Sequence, residues 1–125
     1  MIGIDLIQIS RMEKFIDRFQ KRALQRFLSE EEILLVKNAK SAAGYWAVKE
    51  AFSKALGTGI GTQCSFYDMK IYKNDQGAPQ LALSTKIIKK FHIVDVALSI
   101  THDGDYAIAV VAIEQSTTTN KIQKF

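Results

Sequence analysis

Near its C-terminal end this chain carries two long apolar runs, VDVALSIT at residues 94–101 and YAIAVVAIE at 106–114, with HDGD between them. Runs of that length, rich in β-branched residues and closed by turn formers, read as a pair of strands. The Asp103-Gly104 step predicts a tight type I′ hairpin. Near-continuous apolar content assigns both strands to the core.

The residues before the hairpin divide into two textures. Residues 2–9, with Ile2, Ile4, Leu6, Ile7 and Ile9, predict a strand interrupted by one carboxylate, Asp5. An amphipathic helix over Arg11–Arg26 follows. A second helix starts at Ser29, where Glu32 completes a capping box, and runs to about Lys37. A third, from Ser41 to Leu56, stops at Gly57, a residue suited to the left-handed position past a helix end. From Ser65 onward SFYDMKIYK and PQLAL read as strands joined by NDQGA, and STKIIKKFH as a short helical connector. Helices crowd the first half and strands fill the second, which predicts an α+β fold with an antiparallel sheet. A chain of 125 residues suits one domain, 1–125, with a polar tail at 115–125 that is expected to fray.

Composition narrows the partners. No run of about 18 apolar residues exists to span a bilayer, so a membrane role is not expected. The N-terminus MIGIDLIQIS lacks the basic region and cleavage site of a secretory signal, and the lone Cys64 cannot build a disulfide framework; both predict a cytosolic chain. The net charge is +4, and the segment Arg11–Arg26 alone carries that excess. Met12, Phe15, Ile16, Phe19 and Ala23 fall on one helical stripe, while Arg11, Lys14, Arg18 and Lys21 line its flank, with Arg22 and Arg26 beyond. Such a shoulder is a solvated face, a dock for an acidic protein, or a nucleic-acid grip.

A few residues break the local pattern. Asp5 sits between Ile4 and Leu6, where a carboxylate needs water at a sheet edge, an arginine or a cation. Glu50, in WAVKEAFSK, shares a half-apolar helix face with Trp46, Ala47 and Lys54, and Glu50–Lys54 also has the spacing of an ordinary surface ion pair. Lys49, Ser53, Lys54 and the GTGIG loop gather ammonium groups, a hydroxyl and amides suited to phosphate oxygens. GTGIG has neither Walker nor dinucleotide spacing. His102, preceded by Thr101, stands at the hairpin mouth, where histidine is usually a turn residue. One Cys and two His make no recognisable zinc set.

Taken in order, GIDLIQISRM (3–12), LSEEE (28–32), WAVKEAFSKALGTGIG (46–61), NDQGAP (74–79) and SITHDGDYAIAVVAIE (99–114) resemble the holo-acyl-carrier-protein synthase family, the small 4′-phosphopantetheinyl transferases. The resemblance spans nearly the whole chain, and its first and third segments are highly specific together. It implies a 4′-phosphopantetheinyl transferase-like fold and a homotrimer with active sites between subunits. The implied reaction is magnesium-dependent (Mg2+) transfer of the 4′-phosphopantetheine arm of coenzyme A to a serine of apo-acyl carrier protein, releasing adenosine 3′,5′-bisphosphate. By position, Asp5 and Glu50 match the family's metal ligands, Lys54 its phosphate lysine and His102 a nucleotide contact, with Thr101, Ser53 and Lys49 as further coenzyme A contacts. Arg11 matches an arginine of the carrier-docking helix, which implies a docking surface of Arg11, Lys14, Arg18, Lys21 and Arg22. Tyr45 departs from the family, which often has arginine there. Two rival readings stand beside this one: a basic nucleic-acid-binding module, which would not need Asp5 or Glu50, and an idle relative that binds coenzyme A without turnover.

Overall fold

Strand β1 (Ile2–Gln8) lies antiparallel to β5 (Tyr106–Gln115), which in turn pairs with β4 (Ile93–Asp103), giving a three-stranded antiparallel sheet in the order β1-β5-β4. The computed structural model describes residues 1–116 and Lys124. Between β1 and β4 run α1 (Ile9–Phe19), α2 (Lys21–Gln25), α3 (Glu30–Ile33), α4 (Ala39–Leu56), a second, two-stranded antiparallel sheet of β2 (Met69–Lys73) and β3 (Pro79–Leu83), and α5 (Thr85–Phe91). The architecture is α+β with antiparallel sheets, as the alternation of textures predicts.

Helix α4 is the centre of the molecule. Ala42, Ala43, Ala47, Val48, Ala51, Phe52 and Ala55 are all buried, so the helix is apolar over most of its circumference, as a helix enclosed on several sides must be. One side packs on Ala107, Ala109 and Val111 of β5, buried residues of the inner sheet face. Asn38 caps its start, accepting from Ser41 N at 2.9 Å while Ser41 Oγ accepts from Asn38 N at 3.2 Å, so the helix begins two residues before the expected Ser41.

Several local expectations change. The basic segment is two helices, because Gln20 turns to φ 54° and breaks the run; the bend brings Ala23, Phe27 and Leu28 down onto the core and leaves Phe19 exposed. Helix α3 ends at Ile33, where the bonds tighten to Leu35 N–Glu32 O (2.9 Å) and Val36 N–Ile33 O (3.0 Å) as Leu35 and Val36 fold against the core. Phe66–Asp68 forms a 3-10 turn, because Asp68 Oδ2 accepts from Ser65 N at 2.9 Å, and the strand starts only at Met69. At the hairpin the loop is Gly104-Asp105, and only Gly104 has positive φ (56°), the pattern of a type II′ rather than a type I′ turn. Gln115 continues β5, donating from Nε2 to Phe91 O at 2.8 Å; the tail expected to fray lies, at 117–123 and Phe125, outside the described residues.

Candidate active site

The site begins with a glycine. A Cβ on Gly3 would lie 1.9 Å from Ala51 O and 2.6 Å from Ala55 N, so only glycine lets α4 lie this close to β1. Side chains alternate along a strand, and Asp5 therefore shares the face of Gly3 and meets α4 one turn from Ala51. There Asp5 Oδ1 accepts from Lys54 Nζ at 2.8 Å, and Lys54 Nζ also donates to Ile4 O at 3.2 Å. The strand acid thus has its cation, from the helix rather than from an arginine.

Asp5 and Glu50 line one open cleft of ≈ 580 Å³ with Arg11 and Arg26. Ile7, Met12, Phe15 and Trp46 are among its apolar walls. Burial, and then the neighbouring Asp5 charge, raise the Glu50 carboxyl above the usual glutamate range, with Lys54 pulling the other way. Two carboxylates held near each other in a half-buried cleft store repulsion that a divalent cation would relieve. Among the described residues no third His, Cys, Asp or Glu joins them. Two protein carboxylates fit magnesium, which usually keeps waters and substrate phosphates in the rest of its shell.

Helix α1 carries Arg11 into the cleft from a fixed start. Its capping position is Gln8, whose side chain makes no cap bond; instead Asp105 of the hairpin accepts from Ser10 N at 2.9 Å and Ser10 Oγ at 2.6 Å. The role of cap passes to a residue 95 positions away. Arg26 reaches the same cleft from beyond α2. Its only local signal is membership of the basic run, since the bend at Gln20 is what brings it round. Trp46 could be read from its i−4 spacing to Glu50 on the same helix face.

Other expected contacts lie elsewhere. Lys49 is fully enclosed, donating from Nζ to Phe27 O (2.7 Å), Phe66 O (3.0 Å) and the Glu32 carboxylate (3.0 Å). Burial pulls its pKa below the ordinary lysine value, against the pull of Glu32. With its three N–H bonds spent inside the protein, Lys49 is corrected from phosphate ligand to structural partner. Ser53 is likewise buried, its Oγ donating to Glu50 O at 2.7 Å. The amides of Gly57, Thr58 and Gly59 turn back onto Lys54 O and Ser53 O at 2.9–3.2 Å, closing α4 instead of facing a phosphate. His102 Nε2 stands 3.2 Å from Lys40 O and packs over Gly44, while Thr101 is exposed on the outer sheet face; neither lines this cleft. Tyr45 is buried, with Lys73 Nζ 5.8 Å from its ring centre.

This fold has close counterparts among solved structures. A profile of the 4′-phosphopantetheinyl transferase superfamily matches residues 1–111, and the chain belongs to that family of enzymes. Its relatives are holo-[acyl-carrier-protein] synthases: that of Sulfurimonas denitrificans is 60% identical over 98% of this chain and 100% of its own. The crystal structure of the Helicobacter pylori holo-[acyl-carrier-protein] synthase in complex with coenzyme A superposes with a TM-score of 0.88 at 47% identity, covering 91% of this chain and 100% of that one. That of Bacillus anthracis in complex with CoA (3′,5′-ADP) gives 0.77 at 40% identity, covering 92% and 96%.

Proposed function

We propose that this enzyme transfers the 4′-phosphopantetheine arm of coenzyme A to a serine of apo-acyl carrier protein in a Mg2+-dependent reaction that releases adenosine 3′,5′-bisphosphate. The observation that carries the reading is the meeting of Asp5 and Glu50, 45 positions apart in sequence, in one cleft with Arg11 beside them. Relatives crystallised with coenzyme A and with 3′,5′-ADP support the choice of donor and product.

Asp5 and Glu50 would hold the metal ion, which supplies charge neutralisation at the pyrophosphate of coenzyme A. Lys54, half-exposed and tied to Asp5, offers its remaining N–H to the same oxygens as negative charge develops on them. The carrier serine forms its bond to the β-phosphorus as the bond to the bridging oxygen breaks, and its proton leaves to a carboxylate or to water. Positioning and electrostatics carry the catalysis.

The cationic residues Arg11, Lys14, Arg18, Lys21 and Arg22 are the docking surface for the acidic carrier, acting mainly on the encounter rate. Assembly as a homotrimer draws support from the outer sheet face. Ile2, Ile4 and Leu6 of β1 are 73%, 58% and 55% exposed, beside Val110 and Tyr106 of β5, an apolar patch unusual for a solitary protomer. Burying each β1 side chain would return about 1 kcal/mol or more. Thr101 stands on that face and His102 beside it, so contact through it suits a site between subunits, with their coenzyme A contacts made across the interface. The single free, buried Cys64 fits a reducing cytoplasm.

The test is a mass measurement. Apo-carrier mixed with the enzyme, coenzyme A and Mg2+ should gain about 340 Da, the mass of the transferred arm. Loss of the gain on chelation of the metal completes the reading. Binding of coenzyme A without any gain would favour the idle relative and overturn it.

A further inference from the structure

The one charged pair sealed in the interior, among the described residues, joins Glu32 to Lys49, the residue next to Glu50 in α4. Both Glu32 carboxylate oxygens lie 3.0 Å from Lys49 Nζ, Oε1 also accepts from Ser29 N at 2.9 Å, and Oε2 from Ile71 N at 2.9 Å. The ammonium spends its other bonds on the carbonyls of Phe27 and Phe66. The rings of those same two residues flank Trp46, with centroids 5.0 and 4.9 Å from it, and Trp46 is a wall of the cleft.

We propose that the Glu32–Lys49 pair is a positioning clamp: by fixing the backbone at Phe27 and Phe66 it sets where the Trp46 wall stands relative to Glu50, one helical turn further along α4. Stability alone does not account for such a pair, because an enclosed ion pair exchanged for apolar residues of equal volume commonly costs nothing. What the pair supplies is direction. A point charge with three bonds of defined length holds three separate stretches of chain at once, whereas apolar packing tolerates sliding among them. Lys49 and Glu32 act through Trp46 and touch no substrate. The effect on rate rests on the transferase reading; the effect on the wall does not.

Trp46 is the sole tryptophan of the chain, so its emission reports the wall directly. In the full-length Glu32→Gln variant, the emission of Trp46 should shift to the red as its packing loosens. The kcat for carrier modification should fall about tenfold, with the KM for coenzyme A unchanged within about twofold, the signature of misplacement rather than of a lost ligand contact. A folded variant with native emission and native kcat overturns the clamp, as does shifted emission with native kcat. A rise in the coenzyme A KM alone would make the pair part of ligand binding and overturn it too. If Glu32→Gln does not fold, the doubly neutral variant Glu32→Gln with Lys49→Met is read in the same way. Failure of both to fold would make the pair a requirement of the fold and end the proposal. Absence of transfer in the unmodified enzyme would sink the transferase reading instead, while the emission of the variant would still decide the clamp.

Discussion

Gly3 of β1 lies against Ala51 of α4 with no room for a side chain: a β-carbon on Gly3 would lie 1.9 Å from the Ala51 carbonyl oxygen, which belongs to the helix backbone and cannot swing aside. The contact is what delivers Asp5, two residues along the same strand face, to Lys54 and the neighbourhood of Glu50.

Gly3→Ala should therefore be among the most damaging single changes in the chain. The strand must lift from the helix, at a cost of about 3 kcal/mol or more. Thermal unfolding should show a large fall in Tm, and any folded fraction should have lost transfer because Asp5 has moved.

Glu50→Gln separates stability from activity. Glu50 has its pKa raised by burial and by Asp5, so its folded state binds a proton more readily than its unfolded state. Wild-type stability should then fall as pH rises from the ordinary glutamate range through the raised value, and remain lowered above it. The Gln variant lacks this loss: its Tm should exceed that of the wild type at pH 8 and match it near pH 4, while transfer is abolished. Equal Tm differences at both pH values would contradict the assignment of burial as the cause.

Arg18→Glu tests docking. Its guanidinium lies 5.1 Å from the Phe19 ring centre on the exposed side of α1, away from the residues that line the cleft. The KM for the carrier should rise several-fold and the KM for coenzyme A should not change. The difference from wild type should shrink as salt is added, since exposed charges are screened over about 10 Å at 0.1 M.

Val110→Asp tests assembly. Val110 pairs with Ile4 on the outer face of the sheet, the face opposite the inward-facing Asp5. Light scattering should find the wild type at three times the 14.0 kDa chain mass and the variant at once that mass, with transfer lost alongside. A variant that stays assembled would mean that this face is not the interface.

The site was legible where a residue conflicted with its surroundings. Asp5 in an apolar strand and Glu50 on a half-apolar helix face are both costly unless something answers them, and the cleft answers both. The Ser29–Glu32 capping box was also legible, because a cap is a bargain struck within four residues. The second engagement of Glu32 was not. Capping consumes only local amides, and nothing near Glu32 in sequence announces a lysine 17 positions later. Lys49 looked like a phosphate ligand for the same reason: a cation beside Glu50 gives no sign of which way the helix turns it. Nor could the break at Gln20 be foreseen, since KFIDRFQKRALQR has no glycine or proline, and the chain turns there so that Ala23 and Phe27 can be buried. Gly3 carries no local signal, since a lone glycine in a strand shows its use only in the helix packed against it.

That turn at Gln20 has one further outcome. A single unbroken helix would have spread its cations along a rod, a shape that tracks a long polyanion such as a nucleic-acid strand. Folded back on itself, the same run brings both Arg11 and Arg26 into the lining of one hollow, and a hollow gathers charge around a point.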